Sequence, residues 1–333
     1  MIPLSPAGLE SEAWQRELAE AVSDPTELLR LLDLDPRRVP QAQLIGSAFP
    51  LRVPRYFVGL MRRGDPADPL LAQVLPTLNE QLQVPGFVAD PVGDLPASCD
   101  FGLLKKYHGR ALLVSTGACA VHCRYCFRRH FPYAEQTVLR HWQQALEALR
   151  RQTDVRELIL SGGDPLCLSD NRLHRLIADA ASLPHLQRLR IHTRVPVVMP
   201  SRVTQALCQV LAGSRLQAVM VIHANHPREI TPVLDHALVK LRTAGIPLLN
   251  QSVLLKSVND DADTLATLSE SLFGIGVVPY YLHTLDRVAG AAHFDVPLAR
   301  ARRLYAELRT RLPGYLVPRM VRELPGRAYK TPL

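Results

Sequence analysis

ALLVSTGACAVHCRYCFRRH, residues 111–130, is the stretch on which the fold turns. A short apolar run, ALLVST, leads into a loop with three of the chain's six cysteines. These are Cys119, Cys123 and Cys126, spaced C-x3-C-x2-C. A chance cluster of buried thiols is a weak account of that density. Two kinds of centre use thiolates in this way. A structural zinc takes four protein ligands, usually from paired C-x2-C halves. No second half exists here, although His122 or His130 could complete a set. An iron–sulfur cluster is held by cysteine thiolates, and three of them on a four-iron cluster leave one iron open. Cys99, Cys167 and Cys208 stand alone and read as small buried hydrophobes.

Outward from this loop the pattern repeats. A helix is expected from about 135 to 151, then the run RELILSGGD and a helix near 170–182. LQRLRIHTR precedes SRVTQALCQVLAG, and LQAVMVIHA precedes TPVLDHALVKLRTAG. IPLLNQSVLLK precedes DDADTLATLSESLFG, and GVVPYYLHTLD precedes PLARARRLYAELRTR. Six such strand-then-helix units, apolar on both faces, predict an α/β fold with a parallel sheet covered by helices. Polar residues close each strand, which predicts a partial (β/α)6 barrel with function gathered at the strands' C-terminal ends. Residues 1–100 read as an N-terminal, mainly helical extension and a turn-rich connector, QVPGFVADPVGDLPASCDFG. The barrel is expected over 101–315 and a C-terminal segment over 316–333.

The chain has 333 residues, enough for one large domain with an appended region or for two domains. Its net charge of +8 is scattered in short pairs at 37–38, 62–63, 105–106 and 302–303, which read as a solvated face rather than a nucleic-acid footprint. The N-terminus lacks a basic segment leading into an apolar one, so no secretory signal is expected. No window reaches the roughly 18 apolar residues of a membrane helix. A soluble cytoplasmic protein without a disulfide framework is the expectation.

The C-x3-C-x2-C spacing, with Tyr125 before the last cysteine, resembles the radical S-adenosylmethionine (SAM) family. CRYCFRRHF, SGGDP, HTRVPVVMP, HANHPREI, YYLHTLD and a lysine near the C-terminus, in that order, resemble its lysine 2,3-aminomutase family. The resemblance runs from about residue 50 to the end. It implies a [4Fe-4S] cluster, SAM and pyridoxal 5′-phosphate (PLP), and conversion of L-α-lysine to β-lysine by radical 1,2-amino migration. It gives Cys119, Cys123 and Cys126 three irons, and Gly162, Gly163 and Asp164 the SAM amino group. Lys330 would carry PLP. Lys106, Tyr107 and Arg110 would help hold its phosphate and ring, with Arg110 the phosphate residue. Arg128 would clamp the substrate carboxylate, and Asp286 and Glu323 the distant ammonium.

Two positions depart from the family pattern. Glutamate stands at 323 where the family usually has aspartate, and the glycine-rich run before the lysine shrinks to Gly326 followed by Arg-Ala-Tyr. The resemblance further implies free L-lysine as substrate, a reducing donor such as flavodoxin or ferredoxin, no membrane or nucleic-acid partner, and a possible homo-oligomer. Glu323, the KTPL ending and the short stretch after Lys330 resemble the branch that supplies β-lysine for elongation factor P, with a functional link to that factor and its ligase. One alternative is a catabolic or antibiotic-pathway aminomutase for lysine or another amino acid such as glutamate. Asp286 and Glu323 favour a cationic substrate tail. Another is a zinc-stabilised nucleic-acid-binding protein, which would be colourless.

Overall fold

The computed structural model describes residues 6–44, 46–99, 101–136, 138 and 141–333. Nine strands form one sheet in sequential order: β1 (Leu103–Leu104), β2 (Arg110–Thr116), β3 (Glu157–Gly162), β4 (Arg188–Thr193), β5 (Gln217–Ile222), β6 (Leu248–Leu254), β7 (Val278–Thr284), β8 (Arg319–Arg322) and β9 (Thr331–Pro332). Strands β2 to β8 are parallel, and β1 and β9 add on antiparallel at the two edges. The expected α/β partial barrel with an N-terminal, mainly helical extension is the fold of the chain. No helix among the described residues is long and apolar enough to cross a membrane.

The local reasons are plain in the sequence. All six residues of β3, ELILSG, are buried, as a strand covered on both faces requires. In the helix Asp170–Ala181 the buried residues Leu173, Leu176, Ile177 and Ala180 fall at i, i+3, i+4 and i+7, one face of a helix. Thr204, Thr231 and Asp261 cap the helices that follow β4, β5 and β6 by accepting from backbone N–H groups in the first turn. Losing one such cap costs about 1 kcal/mol.

The extension does not stand apart. Trp14, Leu28, Phe57 and Leu70 belong to one buried cluster with Leu113, Leu158 and Leu189 of the barrel strands. Each such side chain contributes roughly 1.5–3 kcal/mol by leaving water, so the extension is held by the same core as the sheet. Trp14 also stacks against the buried Arg202 guanidinium, 4.4 Å from its ring centre.

Some expectations change. The single helix expected from about 135 appears as Tyr133–Gln136 and Trp142–Arg151; residues 137, 139 and 140 lie outside the described residues. Cys208 is buried as expected, but Cys99 is exposed and Cys167 half-buried. Cys99 lies in the turn-rich connector, where its N–H reaches back from the surface to the Leu103 carbonyl. The final segment supplies a seventh parallel strand, β8, and the hairpin to β9 returns Lys330 beside it.

Candidate active site

A cavity of ≈ 690 Å³ opens inside the barrel toward the strands' C-terminal ends. Every residue to which the resemblance assigns a role lines it: Cys119, Cys123, Cys126, Lys106, Tyr107, Arg110, Arg128, Gly162, Gly163, Asp164, Asp286, Glu323 and Lys330. They come from β2 and its lead-in, the two loops after β2 and β3, the end of β7, and the β8–β9 hairpin.

The cysteine loop is laced to the SGGDP loop. The Gly163 N–H donates to the Thr116 carbonyl at 2.7 Å, and the Asp164 N–H to Ala118 at 2.8 Å. A Cβ on Gly163 would lie 2.3 Å from the Ala118 oxygen, and Gly162 has φ +122 with the Thr116 oxygen 2.7 Å from its would-be Cβ. The close approach these glycines permit is therefore to the cysteine loop itself. Asp164 is consumed locally. Its carboxylate accepts from Thr193 Oγ1 at 2.7 Å, the Arg194 N–H at 2.7 Å and the Leu166 N–H at 3.0 Å. Burial pushes its carboxyl up to about 6 despite those bonds.

Arg124, Arg129, His122 and His130 tie the cysteine loop to the surrounding chain. Arg124 and Arg129 both pair with Glu80, and both guanidiniums lie over the Phe49 ring, at 4.8 and 4.9 Å. Arg124 is fully buried, so removing Glu80 would strand its charge. His122 Nδ1 lies 2.9 Å from the Pro50 carbonyl oxygen, and His130 Nε2 3.0 Å from that of Ala289.

Burial, then the neighbouring Cys123, pushes the Cys126 thiol up to about 11; burial and Cys126 push Cys119 up as well. Thiols that raise one another share a small volume, and a cationic centre among them would reverse the effect. Among the described residues no group of His, Cys, Asp or Glu is arranged to grip a single metal ion. In an iron–sulfur cluster each thiolate binds a different iron, so three spaced thiols fit a cluster by their chemistry. Arg194 adds a donor, with Nη1 2.8 Å from Cys123 Sγ. Gln73 and Tyr125 OH, each at 2.6 Å, and Glu229 at 3.2 Å hold that guanidinium.

On the other side of the cavity runs an unbroken chain of opposite charges. Arg128 Nε donates to Asp94 Oδ2 at 2.6 Å. Lys106 Nζ pairs with Asp94 at 2.5 Å and with Glu323 at 3.0 Å. Glu323 in turn pairs with Lys330. Burial raises the Glu323 carboxyl, but Lys330 and Lys106 outweigh it and hold it down at about 2. Arg128 Nη1 donates to Ser161 Oγ at 3.0 Å, leaving Nη2 uncommitted among the described residues. Lys106 also donates to the Val92 carbonyl at 2.9 Å. Its ammonium thus has two hydrogen-bond acceptors, Glu323 and Val92, beside the ion pair with Asp94. Arg110 stacks on Tyr107, 5.3 Å from the ring centre. Asp286 has no counter-charge within bonding distance among the described residues, and burial followed by Glu323 pushes its carboxyl up to about 7.

Asp94, Glu80 and Arg194 were not picked out from the sequence. Asp94 sits in the connector, where spacing gives no signal; its partners are 12 and 34 positions away. For Arg194 the HTRVPVVMP stretch was a signal, though without a role.

Comparison with known proteins accords with this geometry. Residues 113–268 match the Radical SAM superfamily. The chain is 50% identical over 324 residues to the L-lysine 2,3-aminomutase of Escherichia coli (strain K12), covering 97% of this chain and 94% of that protein. It is 46% identical over 332 residues to the L-lysine 2,3-aminomutase of Haemophilus influenzae, covering 99% and 98%. It is 33% identical over 323 residues to the L-lysine 2,3-aminomutase of Clostridium subterminale, covering 96% and 77%.

Proposed function

The chain belongs to the radical SAM L-lysine 2,3-aminomutase family, and from that premise we propose that its cavity binds free L-lysine and moves the α-amino group to the β-carbon, giving β-lysine. One observation carries the reading. Arg128 beside the thiols and Lys330 at the far end of the sequence are joined by Asp94, Lys106 and Glu323 inside a single cavity.

Cys119, Cys123 and Cys126 would hold a [4Fe-4S] cluster, and Lys330 and Arg110 the aldehyde and phosphate ends of PLP. When bound, the cluster and SAM supply a carbon radical that takes and returns a hydrogen atom, and PLP the π system that eases nitrogen migration. The remaining work belongs to the chain. Arg128, fixed by Asp94 and Ser161, offers its free Nη2 to the substrate carboxylate. Lys106 holds Glu323 in place. Asp286 and Glu323 receive the distant ammonium, and Glu323 gains a free oxygen once Lys330 is engaged elsewhere. A glutamate substrate would set its own carboxylate against these two acids. Apolar walls at Leu112, Ile159, Val253 and Leu285 limit water around the reacting carbon.

The finer proposal is that β-lysine made here serves elongation factor P, a reading supported by the glutamate at 323. A one-electron donor such as flavodoxin or ferredoxin would reduce the cluster. Elongation factor P from cells lacking this protein would then carry an unmodified lysine; a fully modified factor would sink the pathway reading and leave the reaction standing.

The test of the reaction is anaerobic reconstitution with iron, sulfide, PLP, SAM and reductant, offering lysine, glutamate and alanine separately. β-Lysine should form from lysine alone; none with a full cluster present would overturn the proposal. The pH dependence is a sharper check. Ammonium binding needs the Asp286 carboxylate, so KM for lysine should rise as pH falls through about 7. Asp286→Asn should remove that limb and raise KM roughly 10- to 100-fold, the equivalent of the ~1.5–3 kcal/mol of a charged hydrogen bond. Initial rates against lysine concentration from pH 6 to pH 9 (roughly spanning that titration) would show it, and an unchanged KM would remove Asp286 from the site.

A further inference from the structure

The inward side chains of β2, β3 and β4 lie in register rows. Arg110, Glu157 and Arg188 form the row nearest the strands' N-terminal ends, and Leu112, Ile159 and Arg190 the next. A closed barrel fills such rows with branched apolar side chains. Here the first row is wholly charged. With His108, Asp154 and Arg156 it lines a second hollow of ≈ 600 Å³, and Arg110 and Arg190 line both this hollow and the main cavity. The two spaces therefore share a wall made of guanidiniums.

The charge in the hollow is not balanced. Glu157 is taken by Arg190, at 3.1 Å from Nε and 2.5 Å from Nη2, and Asp154 by Lys105 at 2.9 Å. Arg110, Arg156 and Arg188 have no carboxylate partner among the described residues. Arg156 and Arg188 are exposed and make only long contacts of 3.5 Å, to the His185 carbonyl and the Gln187 side chain. A concave site of one sign of charge concentrates anions and speeds their arrival. Planar guanidiniums suit a phosphate monoester better than a point charge does.

We propose that this hollow is the approach by which the phosphate end of PLP reaches the cavity, with Arg156 and Arg188 drawing the anion to the mouth and Arg110 and Arg190 receiving it at the shared wall. The inference rests on the assignment of PLP made above. It adds a route and two residues, Arg156 and Arg188, that lie outside the catalytic cavity.

The experiment follows PLP uptake by stopped-flow absorbance in cluster-loaded, PLP-free protein, comparing wild type with Arg156→Glu/Arg188→Glu. At low ionic strength the variant should take up PLP about tenfold more slowly, and the difference should close near 1 M salt, where the screening length falls to about 3 Å. Pyridoxal, which lacks the phosphate, should enter both proteins at one rate, inorganic phosphate should slow PLP more in wild type than in the variant, and kcat at saturating PLP should be unchanged. Equal PLP rates in the two proteins would overturn the inference, as would an equal slowing of pyridoxal, which would report distortion. A wild type that takes up no PLP at all would instead remove the cofactor assignment, and the route with it.

Discussion

Lys330→Ala is expected to lower kcat for β-lysine at least ~10³-fold and to abolish the visible absorbance of bound PLP, with the iron content untouched. The argument is one of available amines. Among the described residues two lysines line the cavity, Lys106 and Lys330. A Schiff base needs a side-chain amine that can shed its proton and swing onto an aldehyde carbon. The Lys106 ammonium is spent on Asp94, Glu323 and the Val92 carbonyl. Lys330 has one ionic partner, Glu323, and sits on a short hairpin whose two strands pair only at Val321–Pro332 and Arg322–Thr331. Lys106 therefore cannot stand in, and Lys330→Arg, which keeps the charge but not the nucleophile, should be as inactive as alanine. Absorbance and iron are read on the same sample, so a folding failure separates from a chemical one. Lysine turnover with bound PLP in Lys330→Ala would end the assignment.

The barrel was legible because its signal is long-range and redundant. Six apolar runs alternate with six helical ones, and no other arrangement covers both faces of such strands. The C-terminal strands were not, because β8 has four residues and β9 two, too few for a period to show. The thiols were legible from spacing alone. Lys330 and Arg128 needed the family resemblance, since a lysine near a chain end and an arginine in a basic run carry no local sign of a role. The charges that hold them were harder still. Asp94 lies in a stretch rich in proline and glycine, where any acid reads as a turn residue. Glu80 reaches partners 44 and 49 positions away. Lys106 lines the cavity, but its partners Asp94, Glu323 and Val92 come together only in the fold. The SGGDP glycines were read as room for a ligand, and their tightest neighbour is the other loop.

Cys123→Ala should give a protein without iron or the brown cluster absorbance, and with at least ~10³-fold lower activity, and Cys119→Ala and Cys126→Ala should match it. A cluster with three protein ligands has none to spare: losing one leaves two irons without a thiolate and no nearby replacement on the cavity wall. Cys167 is the informative control. It is close enough to Cys119 to raise that thiol, yet it does not line the cavity. Cys167→Ala should keep its iron, its colour and its turnover. Cys123 carries a further consequence, because the Arg194 guanidinium donates to its sulfur while buried among Gln73, Tyr125 and Glu229. Cys123→Ser keeps a hydrogen-bond acceptor for Arg194 but offers iron a harder, less acidic oxygen. It should therefore fold as stably as wild type while binding iron poorly, whereas Cys123→Ala loses both iron and the acceptor, at a stability cost of about 1–3 kcal/mol for the stranded donor. Iron and sulfide analysis with thermal unfolding on the four variants at positions 119, 123 and 126 measures both effects. A brown, active Cys123→Ala protein would leave the cysteine loop without a cluster to hold, and a zinc content that tracked the thiols would replace the iron reading with a structural one.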